Sequence, residues 1–255
     1  MTLHQSASYY GVNSRPLERM PGEYAHLSSK NEILAYYEAV LDELIATGRL
    51  RFFPLSDADV TGPHPRQFKS LVTGAISAVS DNAKIVDATY TRTQVPSTHG
   101  AHLRYAVEEG VDLVPINDLP SRAASADWEC YCVVGAGKTG IDAVLWLLSN
   151  GVAPGRITWI TPNDSWLLVR EAMTPPYFYM SERSSQRLFD LVDSIFPVLD
   201  DLTHESLVAS FETAGVLARI DPNMEPTKFK GATASRSEIT QLRRIRDTGG
   251  IVRLG

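Results

Sequence analysis

The sequence predicts an α/β fold in which helices join parallel strands. An apolar run over residues 129–134 leads through a glycine-rich turn into a helical pattern over 141–149. A second β-branched run, 156–161, follows Asn150-Gly151, a dipeptide typical of the C-terminus of a helix. Strand, helix and strand in this order form a βαβ unit of about thirty residues, and such units build parallel sheets.

The turn of this unit reads Gly135-Ala136-Gly137-Lys138-Thr139-Gly140, a complete G-x-G-x-x-G that we call the glycine loop. In this pattern the first glycine permits a tight turn, the second lets the backbone approach a pyrophosphate, and the third allows close packing of helix on strand. Unpaired N–H groups at the helix start then bind the phosphates. A P-loop would require glycine where Cys132 stands. The glycine loop therefore predicts dinucleotide binding, with phosphate contacts at Lys138 and Thr139.

The identity of the nucleotide depends on the end of the second strand, which reads Thr161-Pro162-Asn163-Asp164-Ser165. A carboxylate there binds the ribose 2′-OH of NAD, whereas an arginine accepts the 2′-phosphate of NADP. Asp164 lies slightly late for the first role, and Arg170 is a distant candidate for the second. Thr161, Asn163 and Asp164 are predicted cofactor-binding residues, and the choice between NADH and NADPH stays open.

Composition excludes several classes of partner. The 255 residues include 24 basic and 30 acidic side chains, a formal net charge of −6. No run of Lys or Arg interleaves with aromatic residues, so nucleic-acid binding is not expected. No apolar run approaches membrane-spanning length, and the first thirty residues are too polar for a signal peptide. The prediction is a cytoplasmic protein that acts on a small-molecule substrate, without membrane association and with its oligomeric state open.

Several side chains that could carry chemistry are predicted to be structural. Cys130 and Cys132 alternate along the first strand of the βαβ unit and are predicted to be small buried side chains rather than a redox pair. Asp142 in the first helical turn is predicted to complement the helix dipole. No metal site is predicted, because His99 and His102 lack further ligands nearby. The aromatic cluster Tyr177, Phe178 and Tyr179 is predicted to pack beneath a loop.

The rest of the chain alternates helices and strands. A capping box, Ser29-Lys30-Asn31-Glu32, opens a helix over 29–47 whose apolar face is predicted to be buried. A second one, Ser235-Arg236-Ser237-Glu238, opens a helix that ends near Arg246. Further helices are predicted at 184–199 and 203–214, a connection at 96–126, and strands at 50–53, 68–72, 84–89 and 251–254.

Two segments carry a resemblance to a known family. The glycine loop continued through Ile141-Asp142, with 165–170 after the next strand, resembles the second, NAD(P)H-binding Rossmann unit of flavin-containing monooxygenases and related FAD/NAD(P)H oxidoreductases. Residues 3–10 and the capped helix from Ser29 are similar to the stretch that follows the FAD-binding βαβ unit in these proteins. The resemblance implies a FAD/NAD(P)-binding, three-layer Rossmann-like fold. It implies a truncated first lobe of FAD-binding type at 1–125, containing the helix 29–47 and a small β region, and an NAD(P)H-binding lobe at 126–255.

The same resemblance implies an enzyme that uses two cofactors. Family members carry two G-x-G-x-x-G loops, and the one beginning at Gly135 corresponds to the second; the first, FAD-binding loop is expected to be missing from this chain. The implied activity is hydride transfer from NAD(P)H to FAD, with possible oxygenation of a small organic substrate. Gln5 corresponds to an amide near the flavin ring. The F-x-G-x-x-x-H signature of many such monooxygenases does not occur in 115–128. The alternative is a non-catalytic NAD(P)-binding module or a fragment that lacks the flavin site.

Overall fold

The computed structural model describes residues 2–17, 26–88, 105–126, 128–173, 193 and 203–254. These residues form a mixed α/β fold that contains three three-stranded sheets. The chain divides into two compact units: unit 1 comprises Met1–Ala35 and Val114–Gly255, and unit 2 comprises Tyr36–Leu113. This division does not coincide with the lobes 1–125 and 126–255, which stay a prediction.

Helix α1, Lys30–Ala46, begins at the predicted capping box. The backbone N–H of Ser29 donates to Glu32 Oε2 at 2.7 Å, and the N–H of Glu32 donates back to Ser29 Oγ at 3.3 Å. The predicted burial of its apolar face is wrong in large part, because only Tyr36 and Val40 are buried. The apolar stripe is wider than the surface that covers it, and four of its side chains are exposed: Leu34, Tyr37, Leu44 and Ile45.

Unit 2 contains a small antiparallel sheet of β1, Ser56–Asp57, β2, Gln67–Ser70, and β3, Ile76–Ala78. Strand β2 confirms most of the strand predicted at 68–72. The strands predicted at 50–53 and 84–89 are wrong, since 50–53 and 84–88 form no strand and Thr89 lies outside the described residues. Both runs leave apolar side chains exposed, and no strand of the described residues pairs with either of them.

The predicted βαβ unit is confirmed in unit 1. Helix α2, Leu119–Ala123, precedes it, within the predicted connection. Strand β4, Tyr131–Val134, leads into helix α3, Lys138–Ser149, and then into strand β5, Ile157–Thr161. Strands β4 and β5 are parallel. Gly151 follows the end of α3 with φ +84, a backbone conformation that glycine adopts without steric cost.

A mixed sheet follows in the chain. It is built from β6, Ser165–Val169, β7, Leu217–Ala218, and β8, Lys228–Ala234, in the order β7-β6-β8. Between β6 and β7 lie helix α4, Arg170–Met173, and helix α5, His204–Thr213, which confirms the helix predicted at 203–214. The predicted helix 184–199 lies outside the described residues except for Asp193, which is helical. The predictions for two histidines and for the aromatic cluster also fall outside the described residues: His99, His102, Tyr177, Phe178 and Tyr179.

Helix α6, Arg236–Asp247, and strand β9, Ile251–Arg253, complete the parallel sheet, whose order is β4-β5-β9. Both predicted elements are confirmed. Helices α3 and α6 pack on one face of this sheet, where a core of fully buried side chains forms: Ile141, Val144, Leu147, Ile157, Trp159, Leu242 and Ile245. The other face exposes Cys132, Val134 and Val252. None of the described helices combines the length and the apolar character needed to cross a lipid bilayer.

Candidate functional site

The glycine loop lies at the carboxyl end of β4, where its backbone is shaped by two glycines. Gly135 has φ +115, and its N–H still donates to the carbonyl of Ile160 on β5 at 2.9 Å. Gly137 is the N-cap of α3, with φ −83 and ψ 177. Apart from chain neighbours, no atom lies within 4 Å of the position that a Cβ would occupy on either glycine. The outer surface of the loop is therefore open to a ligand that contacts the main chain.

Gly140 closes the inner side of the loop. A Cβ on this residue would overlap the carbonyl oxygen of Gly135 and lie 3.0 Å from its carbonyl carbon. Only glycine permits α3 to pass so close to the end of β4, which is the packing role predicted for the third glycine.

A buried tryptophan holds the same carbonyl. Trp159, at the centre of β5, is fully buried, and its indole Nε1–H donates to the carbonyl oxygen of Gly135 at 2.8 Å. The first turn of the glycine loop is thus clamped to the neighbouring strand by a side chain as well as by backbone. No motif in the sequence predicts this contact of Trp159. The position of a tryptophan inside a buried strand is a signal that could have found it, because a buried indole N–H requires a hydrogen-bond partner.

Replacing Trp159 with phenylalanine is expected to destabilise the protein by about 1–3 kcal/mol, because the carbonyl of Gly135 loses its donor away from water. Urea unfolding measures this change. Trp146→Phe is the matched control, since the structure records no hydrogen bond from the indole of Trp146 to any described residue. Equal stability of the two variants would contradict the clamp.

The side chains at the start of α3 are engaged with one another. The Lys138 ammonium forms an ion pair with Asp142 Oδ1, one helical turn later, and Asp142 Oδ2 lies 3.2 Å from His4 Nε2. Burial and the Lys138 charge lower the pKa of His4. Asp142 does stand in the first turn, as predicted, and also partners two neighbouring side chains. Lys138 is tied to Asp142, whereas Thr139 is exposed, and the phosphate contacts of both residues stay a prediction.

The structure brings the glycine loop and the end of β5 together, as the cofactor prediction required. Ala136 of the loop and the strand-end residues Thr161, Asn163, Asp164 and Ser165 line one cavity of about 10 Å³, which we call the strand-end cavity. Its apolar wall comes from residues of β6, β9 and the segments after β7 and before β8: Leu167, Ile220, Pro226 and Ile251.

Two hydroxyl groups at the strand-end cavity lack partners. Thr161 and Ser165 are only 4% and 8% exposed, and among the described residues neither Thr161 Oγ1 nor Ser165 Oγ has a hydrogen-bond partner. Buried polar groups are nearly always satisfied by protein, water or ligand. A cavity of this volume accommodates about one water molecule. These hydroxyls are available to a water or to a polar group of a ligand.

Asp164 belongs to a charge cluster that sequence reasoning did not find. Arg253 on β9 donates from Nε to Asp164 Oδ2 at 2.7 Å and from an Nη to Asp164 Oδ1 at 3.2 Å. The same Nη donates to Asp221 Oδ2 at 2.9 Å. The hydrogen bonds that Arg253 donates to Asp164, together with the charges of Asp164 and Asp221, raise the pKa of Arg253. Arg253 pairs in register with Thr161, which places it beside the end of β5.

Arg170 and Gln5, two other predicted candidates, lie elsewhere in unit 1. The Arg170 guanidinium pairs with Glu238 Oε2 at 2.8 Å and donates from Nε to the carbonyl of His4 at 2.8 Å. Arg170 does not line the strand-end cavity, which is where an arginine that binds the 2′-phosphate of NADP would have to lie. Gln5 Nε2 donates to Thr233 Oγ1 on β8 at 3.4 Å. This contact gives Gln5 a structural role and leaves its implied flavin contact a prediction.

The predicted burial of Cys130 and Cys132 is wrong, because both free thiols are exposed. They lie at the face of the parallel sheet that α3 and α6 do not cover. Burial raises the pKa of the Cys132 thiol, and the neighbouring Cys130 raises it further. A raised pKa disfavours the reactive thiolate, so Cys132 shows no sign of nucleophilic activation.

Three curated proteins resemble the chain along its whole length. They are uncharacterized proteins of Mycobacterium bovis and of two strains of Mycobacterium tuberculosis, each 42% identical to it over 262 residues. The alignment covers 99% of this chain and 45% of each relative, so the chain spans less than half the length of the curated relatives it matches. No family model matches the chain, and no solved structure matches it. Function is therefore argued from the geometry of the site.

Proposed function

We propose that unit 1 is a Rossmann-like domain that binds NAD(P)H at the glycine loop. The observation that carries the proposal is the contrast between the glycines: a Cβ on Gly137 would meet no atom within 4 Å, whereas one on Gly140 would overlap the Gly135 carbonyl. The loop is thus open where a pyrophosphate approaches and closed where the helix packs. It stands at the carboxyl end of parallel strands, where nucleotides bind in folds of this kind.

The binding chemistry comes mainly from the backbone. The start of α3 carries a partial positive charge and first-turn N–H groups without intrahelical partners, and both attract a pyrophosphate. The ion pair of Lys138 with Asp142 leaves little net side-chain charge at this point. The adenosine ribose then extends towards the strand-end cavity, where Thr161 and Ser165 offer unpartnered hydroxyls.

We further propose that the chain is the NAD(P)H-binding part of a monooxygenase-like flavin oxidoreductase that acts on a small organic substrate. NAD(P)H, when bound, supplies a hydride to FAD. The resemblance of the glycine loop and of residues 3–10 supports this wider proposal. The sequence contains no second G-x-G-x-x-G.

A three-layer arrangement is part of the same proposal. Parallel sheets are usually covered on both faces, and α3 and α6 cover one face of the β4-β5-β9 sheet. The apolar side chains exposed on the other face, Val134 and Val252, have the character that a third layer would bury.

Two measurements on the purified chain test these proposals. Fluorescence titration with NADH and with NADPH is expected to show saturable binding of at least one of them, and the absence of both would overturn the binding proposal. The visible spectrum after addition of FAD and removal of the excess then separates the wider readings. Retained flavin absorption supports the oxidoreductase, whereas a colourless protein that binds NAD(P)H supports only the proposal that the chain is an NAD(P)H-binding module.

A further inference from the structure

The turn that leaves β5 is acidic and carries no cation. Residues 162–165 read Pro, Asn, Asp and Ser, and the first basic residue after β5 is Arg170, which is engaged with Glu238. Asp164 and Ala136 of the glycine loop line the same strand-end cavity. A dinucleotide whose pyrophosphate lies on the loop would therefore bring its adenosine ribose next to this carboxylate.

Arg253, the basic residue at the end of β9, is already bound to two carboxylates. Three hydrogen bonds join it to Asp164 and Asp221, whose side chains are 16% and 11% exposed. One positive and two negative charges leave the cluster with a net charge of −1. Turning Arg253 towards a ligand phosphate would strand two largely buried carboxylates, a costly change. The guanidinium therefore fixes the position of Asp164 and does not bind a phosphate of the ligand.

We propose that Asp164, positioned by Arg253 and Asp221, makes this site selective for NADH over NADPH. The inference rests on the proposed binding of a dinucleotide and names which one. A carboxylate accepts hydrogen bonds from the ribose 2′-OH of NADH. It repels the 2′-phosphate of NADPH, and a net negative cluster supplies no compensating charge. The hydroxyls of Thr161 and Ser165, which have no partner among the described residues, suit a water molecule that bridges to the ribose.

The test measures dissociation constants of the full chain for NADH and NADPH by fluorescence titration at one fixed ionic strength. We expect the wild-type protein to bind NADH at least about tenfold more tightly than NADPH, equivalent to ~1.4 kcal/mol. In Asp164→Asn and Asp164→Ser the ratio is expected to fall at least about fivefold, through weaker NADH binding and stronger NADPH binding. Asp247→Asn is the matched control, because its exposed carboxylate stands at the end of α6 and does not line the strand-end cavity.

The outcomes separate this inference from the proposal beneath it. Failure to bind either dinucleotide overturns the binding proposal itself. Equal affinity, or tighter binding of NADPH, leaves that proposal standing and overturns the selectivity. A wild-type preference for NADH that survives unchanged in both Asp164 variants overturns the assignment to Asp164. A ratio altered as much in Asp247→Asn as in the Asp164 variants also overturns it, since net charge alone would then explain the effect.

Discussion

Valine at position 137 is expected to abolish dinucleotide binding while the fold persists. The backbone of Gly137, with φ −83 and ψ 177, lies in the extended region that β-branched residues prefer. No atom of the described residues lies within 4 Å of the Cβ position, apart from chain neighbours, so a Cβ is accommodated without a clash. The valine side chain occupies the space that a pyrophosphate would enter. The dissociation constants for NADH and NADPH are expected to rise more than about 100-fold, or ~2.7 kcal/mol.

Stability and a second glycine variant provide the controls for Gly137→Val. Valine is a poorer N-cap than glycine, so the free energy of unfolding is expected to fall by no more than about 1 kcal/mol. Gly155→Val introduces the same side chain outside the glycine loop, where a Cβ would meet no described atom within 4 Å, and is expected to retain affinity within a few-fold. Unchanged NAD(P)H affinity in Gly137→Val would remove the glycine loop from the binding site.

Alanine at position 140 is expected to produce the opposite combination, a loss of stability together with a loss of binding. Its Cβ would overlap the carbonyl oxygen of Gly135, which is held by the Trp159 indole and cannot withdraw freely. Overpacking of this kind costs about 1–3 kcal/mol, which exceeds the gain of up to ~1 kcal/mol that alanine brings to a helix. Relief by movement of α3 would displace the glycine loop and lower dinucleotide affinity at least about tenfold.

The control for Gly140→Ala is the same substitution at Gly155. A Cβ there would meet no atom within 4 Å, and Gly155 lies in a short 3-10 turn just before β5. The free energy of unfolding of Gly155→Ala, measured with urea, is expected to lie within about 0.5 kcal/mol of the wild-type value. If Gly140→Ala proves as stable as Gly155→Ala, the close approach of α3 to the end of β4 is not what requires glycine.

Elements with local signals were predictable from the sequence. The capping boxes at Ser29 and Ser235 satisfy orphan N–H groups with side chains three residues apart, so they specify helix starts without help from distant residues. The glycine loop is local in the same sense, because its turn and the following helix depend on neighbours in sequence. Thr161, Asn163 and Asp164 lie beside the loop because β4 and β5 are adjacent parallel strands, and their cofactor contacts stay a prediction.

Features that depend on distant partners were not predictable. The runs at 50–53 and 84–88 have strand-like composition, but no strand within the described part of the chain pairs with them, so they are irregular. Cys130 and Cys132 were expected to be buried, yet burial depends on which face of the sheet is covered, and helices α3 and α6 cover the other one.

The sequence by itself determined that this chain carries a βαβ unit with a dinucleotide-type glycine loop, because the pattern of strand, glycines and capped helix is specified within about thirty residues. Tertiary structure alone decided how that loop is held and which side chains lie beside it. Trp159 reaches the Gly135 carbonyl across 24 positions, and Arg253 reaches Asp164 across 89. Contacts of such separation follow from strand order and register, which no local pattern specifies.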